Sequence, residues 1–153
     1  MYTHSNMQNP WMNLALKEAE SAYDQNEVPV GAVIVRQQKI VSKSHNLTIS
    51  ACDPTAHAEI IAIREACIKL STTYLIDCDI YVTLEPCPMC AQAISNARIK
   101  NVYFGATDLK SGGVISGPQI YTWQSAHHKP NVYSGIMEED SSSLLQHFFK
   151  EKR

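Results

Sequence analysis

Two short clusters hold the residue types that do chemistry at neutral pH: His57-Ala58-Glu59 and Pro86-Cys87-Pro88-Met89-Cys90. Cys87 and Cys90 stand three apart, so on a helix both sulfurs share one face. Each cluster follows a loop or strand and opens a helical stretch. The partial positive charge of a helix N-terminus favours thiolates there. Two thiolates and one neutral imidazole balance a Zn²⁺ ion and leave its fourth tetrahedral position open, the mark of a catalytic rather than a structural zinc. Glu59 lies within the same helical turn as His57. From there a carboxylate reaches the open position without being a ligand, takes a proton from water and returns it to a substrate.

A lone Cys-x-x-Cys is common and a lone His-x-Glu is close to noise. Together, on two helix starts with one strand between them, they are specific. A closed zinc knuckle with Cys52, Cys67 or Cys78 as fourth ligand would leave Glu59 without a role. A redox Cys-x-x-Cys would leave His57-Ala58-Glu59 unexplained. The five cysteines form no secreted-type framework, and the three outside the second cluster read as small buried or half-buried hydrophobes.

Regular elements must bring the two clusters together. Helical spacing of Met12, Ala15, Leu16, Ala19, Ala22 and Tyr23 predicts a helix from about Gln8 to Gln25. Pro29 to Val35 and Ile40-Val41 read as a hairpin with a four-residue loop, Arg36-Gln37-Gln38-Lys39. Asp53-Pro54-Thr55 marks a turn with Thr55 as N-cap of a helix running to about Leu70, its buried face carrying Ile60, Ile61, Ile63, Ala66 and Cys67. Ile80 to Leu84 is a strand, Pro86 to about Ala97 a helix, and Ile99 to Phe104 a strand. A loop rich in Gly and Ser, a poorly periodic stretch and a short strand at Val132-Tyr133 follow. The last segment, Glu138 to Arg153, has acids at its start and bases at its end, matching the helix dipole. A hairpin followed by strand-helix-strand alternation predicts a mixed sheet covered by helices, a three-layer α/β/α sandwich in one domain over residues 1–153.

His-x-Glu with Pro-Cys-x-x-Cys resembles the signature of the zinc nucleobase deaminases. Further stretches narrow the likeness: Glu27-Val28-Pro29-Val30-Gly31-Ala32-Val33, Asp53-Pro54-Thr55-Ala56-His57-Ala58-Glu59, Thr83-Leu84-Glu85-Pro86-Cys87 and Phe104-Gly105-Ala106 with Asp108, Lys110 and Gly112. With Phe148-Phe149 and Arg153 they resemble the bacterial tRNA-specific adenosine deaminases over nearly the whole chain. That resemblance implies a cytidine-deaminase-like fold with a five-stranded sheet, one Zn²⁺ per subunit, a homodimer, and hydrolytic deamination of the anticodon wobble adenosine to inosine. It implies His57, Cys87 and Cys90 as zinc ligands and Glu59 as proton shuttle. It also implies Asn46 and the Ala58 N–H as contacts to the base, Asp108 as a contact to a neighbouring ribose 2′-hydroxyl, and Phe149 and Arg153 as contacts to loop nucleotides. One of the two phenylalanines is expected in the core. Glu85, just before Pro86, is expected to brace a backbone turn rather than to act as a second acid. The stretch from Ser116 to Trp123 departs from the family pattern, and Pro88-Met89 is shared with guanine deaminases.

Two other functions fit parts of the pattern. A free-base or nucleotide deaminase acting on guanine or cytosine would use the same metal centre with a different rim. A non-catalytic zinc-stabilised RNA-binding module would need neither Glu59 nor an open ligand position. The net charge of −2 over 153 residues argues against an indiscriminate polyanion binder, and no DNA partner is expected. The charge is uneven: 6 Lys+Arg stand against 10 Asp+Glu up to Ala97, and 7 against 5 beyond it, so the half with the RNA rim is basic. No apolar run reaches the ~18 residues of a membrane span, and Met1 to Pro10 lacks an apolar signal core. The expected location is the cytoplasm.

Overall fold

The computed structural model describes residues 9–152. Helix α1 spans Pro10–Asp24; Gln8, where the periodicity places its start, lies outside the described residues. Asn9 caps it, its side-chain oxygen accepting the Met12 N–H at 2.8 Å, and Pro10 takes the first turn, where a missing N–H matters least. Strands β1 (Gly31–Arg36) and β2 (Lys39–His45) form the hairpin. Its loop is two residues, not four: Gln37 and Gln38 both take positive φ, 51° and 63°, and Arg36 pairs with Lys39. That geometry fits the twist of the strands, and the usual Asn-Gly signal is absent because two glutamines occupy the turn.

Helix α2 (Ala58–Leu70), strand β3 (Asp79–Leu84), helix α3 (Pro88–Asn96), strand β4 (Asn101–Ala106), strand β5 (Asn131–Tyr133) and helix α4 (Glu138–Glu151) follow. The five strands form one sheet in the order β2-β1-β3-β4-β5. β1 runs antiparallel to β2 and β3, whereas β3, β4 and β5 are parallel. The sheet is therefore mixed, with helices on both faces, as the element pattern predicts.

One face of the sheet, with Ile34, Ile80, Val82, Val102 and Phe104, packs on α2 and α3. Helix α2 buries an alanine stripe, Ala58, Ala62 and Ala66, while Ile60, Ile61 and Ile63 are only half-buried. This corrects the sequence expectation: small side chains let the helix backbone come close enough for β2 to bond it. Ser44 Oγ donates to the Ala58 carbonyl at 2.7 Å and Ser42 Oγ to that of Ala62 at 2.8 Å. The other face presents Val33, Val35, Tyr81 and Tyr103 to α1 and to the chain entering α4. No helix among the described residues is long and apolar enough to cross a membrane.

Gly31 is where α1 meets the sheet most closely. A Cβ there would lie 1.9 Å from the Ala15 carbonyl oxygen and 2.7 Å from the Ala19 nitrogen. Both are backbone atoms and cannot rotate away, so Gly31→Ala must push α1 off β1. The expected loss is about 3 kcal/mol, the upper end for overpacking, and a fall in Tm of roughly 6–12 °C. A calorimetric melt within 2 °C of the parent would show that α1 is seated less tightly than these distances imply.

Candidate active site

The loops at one end of the sheet bring the two clusters face to face. His57 and Cys87 are the N-cap residues of α2 and α3, with extended backbones (ψ 153° and 171°), and neither spends its side chain on capping. This replaces Thr55 as the cap: Thr55 instead gives both its N–H and its hydroxyl to Asp53 Oδ1, at 2.8 and 2.7 Å. Glu59 and Cys90 then fall within the first turns of the two helices. His57 Nδ1 lies 3.6 Å from Cys87 Sγ and 3.4 Å from Cys90 Sγ, and the ligand atoms of the three residues lie within 4.8 Å of one another. Among the described residues no fourth His, Cys, Asp or Glu joins the group.

The two thiols are driven in opposite directions by one another. Cys87 is held down at about 4, first by the Cys90 thiol donating to it and then by His57. Cys90 is pushed far above the thiol range, first by the Cys87 sulfur and then by burial. A charge on either sulfur thus opposes one on the other, and a cation between them would favour both as thiolates. The spacing suits that cation. At Zn–N and Zn–S distances of ~2.05 and ~2.3 Å, a tetrahedral centre separates nitrogen from sulfur by about 3.6 Å.

Glu59 is 4 % exposed and lies against the Cys90 thiol. Burial raises its carboxyl to about 7, with the Cys87 charge adding to the effect. An acid poised there both holds and releases a proton at neutral pH. Beside it opens a pocket of about 250 Å³ whose lining includes Asn46, His57, Ala58, Glu59, Cys87 and Asp108. Asn46 is buried; its amide donates to the Val28 carbonyl at 3.5 Å and accepts the Thr48 N–H at 3.4 Å. Both bonds are long, so the amide keeps capacity for a ligand. Ala58 is the first residue of α2, where the helix offers its N–H no acceptor.

The chain from residue 5 to 106 matches the model of the cytidine and deoxycytidylate deaminase zinc-binding region. The chain belongs to this deaminase family. Relatives cover nearly all of it. The tRNA-specific adenosine deaminase of Agrobacterium fabrum is 50% identical over 143 residues, 94% of this chain and 94% of that one. That of Rickettsia bellii is 52% identical over 144 residues, 93% of this chain and 99% of that one. A solved structure from work on A-to-I editing by tRNA:A34 deaminases superposes with a TM-score of 0.87 at 50% identity, covering 88% of this chain and 98% of that one. The deaminase uses zinc, and the two sulfurs and one imidazole nitrogen assembled here fit it in number, spacing and charge.

Not every predicted site residue of the deaminase sits in the pocket. Phe148 is buried, its ring edge-on to Tyr23 at 5.8 Å, whereas Phe149 is 48% exposed. Phe149 lines an adjoining groove of about 930 Å³, which Asp108 and Val28 share with the pocket. Arg153 lies outside the described residues. The end of α4 is tied to α1 by Tyr23 donating to Glu151, and to the turn after α1 by Lys152 Nζ donating to Asn26 Oδ1 at 2.7 Å.

Two residues that shape the site, Glu27 and Tyr121, give little sign of it in the sequence, whereas Glu85 braces the backbone as its place before Pro86 leads one to expect. Glu27, 1% exposed, accepts the N–H groups of Ile49 and Ser50 at 3.0 and 2.6 Å and so anchors the loop that follows Asn46. Burial opposes its charge, but those donors outweigh it and hold the carboxyl below the usual range. Glu85 does the same for the loop carrying Asp108: burial is again outweighed by N–H donors, led by those of Asp108 and Ser116. Tyr121, in the 3₁₀ turn Ile120–Thr122 of the idiosyncratic stretch, donates to the Ala91 carbonyl at 2.9 Å behind Cys90.

Proposed function

We propose that this protein hydrolytically deaminates adenosine to inosine at the wobble position of a tRNA anticodon. The observation that carries the reading is Glu59, a buried carboxyl beside a three-donor metal group, lining a pocket in a chain that is 50% identical to a tRNA-specific adenosine deaminase over 94% of its length.

His57, Cys87 and Cys90 would hold the zinc, which when bound would lower the pKa of water toward neutrality. Glu59 takes a proton from the attacking water and delivers it to N1 of the purine, making C6 electrophilic. Once the C6–O bond has formed, the same carboxyl takes the remaining proton from that oxygen and passes it to the amine as the C6–N6 bond breaks and the C6 carbonyl forms. Adenosine and water become inosine and ammonia. The Asn46 amide and the Ala58 N–H hold the base edge. The base must leave its stack to enter a pocket of this size, which costs little in an anticodon loop that is already single-stranded.

Asp108 faces a flanking ribose, and Phe149, exposed on the adjoining groove, offers a stacking surface to a neighbouring base. Arg153 belongs to the same rim. The protein acts in the cytoplasm as a single-domain enzyme and a homodimer.

The test is incubation of the purified, zinc-loaded protein with tRNA bearing a wobble adenosine, alongside free guanine, cytosine and adenine. Inosine at the wobble position, with the free bases untouched, is the expected outcome. Turnover of a free base without change in the tRNA would make this a free-base deaminase. Zinc binding with no turnover of any substrate would leave an RNA-binding module.

A further inference from the structure

The loop over residues 107–117 is wrapped around one carboxylate. Glu85 closes β3 and is 2% exposed. Its Oε1 accepts the Asp108 N–H at 3.0 Å and the Ser116 hydroxyl at 2.9 Å. Its Oε2 accepts the N–H groups of Val114, Ile115 and Ser116 at 3.0, 2.9 and 2.9 Å. The fit is close enough to require glycine. A Cβ on Gly112 would lie 2.5 Å from the Glu85 carboxyl carbon, and one on Gly113 would lie 2.6 Å from the Pro88 nitrogen.

Asp108 has no comparable tie of its own to the rest of the fold. Its Oδ1 accepts N–H groups of its own loop, from Lys110 at 3.2 Å and Ser111 at 2.9 Å, and its main-chain N–H goes to Glu85. The place of its carboxylate between pocket and groove therefore follows the loop, and the loop follows Glu85. We propose that Glu85 is a positioning residue for sugar discrimination, holding Asp108 where it meets the 2′-hydroxyl of the nucleotide beside the target adenosine. The inference rests on the reading of Asp108 as the ribose contact.

Glutamine is the informative replacement. It keeps the shape of Glu85, but its NH₂ must face either the two donors at Oε1 or the three at Oε2, so donor meets donor and the loop shifts. The assay compares kcat/KM on an anticodon stem-loop RNA with that on the same oligonucleotide carrying 2′-deoxy sugars beside the wobble adenosine. Asp108→Ala and Glu85→Gln should each reduce the ribose preference about tenfold, the scale of a hydrogen bond to a charged group, and the double variant should reduce it no further. A residue that only supported the fold would lower both substrates alike. Zinc content and the circular dichroism spectrum confirm that each variant is intact.

An unchanged preference in Asp108→Ala would overturn the reading of Asp108, and the inference with it. A lost preference in Asp108→Ala with a parental one in Glu85→Gln would overturn the role of Glu85 alone. If Glu85→Gln does not fold, Ser116→Ala takes its place. It removes one of the five donors and should lower the preference two- to threefold, and a folded Ser116→Ala with the parental preference would overturn the inference.

Discussion

Glu59→Gln is expected to retain its zinc and fold and to lose a factor of about 10²–10⁴ in kcat, with KM little changed, in the range for removing a general acid–base. Glutamine matches glutamate in shape, so the packing around a side chain that is 4 % exposed survives. The lost property is the ability to carry a proton between water, N1 and the leaving amine. The same change should also move stability. Burial raises the Glu59 carboxyl to about 7 from an ordinary 4.5. In the zinc-free protein the folded state then holds a proton that the unfolded state has released, and stability falls as pH rises from about 4.5 through 7. Glutamine has no such dependence. Zinc-free Glu59→Gln should therefore match its parent near pH 4 and exceed it by up to about 3 kcal/mol at pH 8. Single-turnover kinetics on the wobble-adenosine tRNA and denaturant titrations at the two pH values check both parts. Activity within tenfold of the parent would remove Glu59 from the proton path.

The candidate site is legible in sequence where its residues are set by local spacing and not where they are set by distant partners. His57, Glu59, Cys87 and Cys90 announce themselves because their roles depend on spacings of two or three residues at helix starts, a strictly local property. Glu27 and Glu85 are satisfied by N–H groups 22 to 31 residues further along the chain. Before the chain folds, Glu27 is one acid at the edge of an apolar run, and Glu85 shows only the turn it braces before Pro86, not the distant loop it holds. The element pattern and the three layers followed from periodicity, which is also local. The errors came where two local options compete. Thr55 has the chemistry of an N-cap but spends it on Asp53, so the helix begins after His57. In α2 the isoleucines outweigh the alanines in any hydrophobic count, yet closeness to β2 selects the alanine stripe. Hydrophobicity says which side chains favour burial; the hydrogen bonds from Ser42 and Ser44 say how near the helix must come.

Removal of the metal should have the other large effect, and its pH dependence separates a thiolate site from a simple cation sink. Cys90 is fully buried, and the Cys87 sulfur and burial both raise its thiol, so zinc must displace a proton to bind it. Affinity for zinc is therefore expected to rise at least about tenfold per pH unit below the thiol range. His57 is raised from its ordinary 6.5, first by its contact with the Cys87 sulfur. Once the pH falls low enough to protonate the imidazole, a second proton competes and the dependence steepens. A chelator strong enough to strip the ion should abolish turnover, and zinc should restore it. With free zinc at a thousand times its Kd, binding contributes about 4 kcal/mol, so stripping should lower Tm by roughly 8–16 °C. Cys90→Ser should bind zinc more than about a hundredfold more weakly, because a buried hydroxyl resists the ionisation that the thiol undergoes beside the metal. Isothermal titration at three pH values with direct proton counting decides the matter. Zinc binding without proton release, or a chelated protein that still turns over tRNA, would mean that His57, Cys87 and Cys90 do not form the catalytic centre.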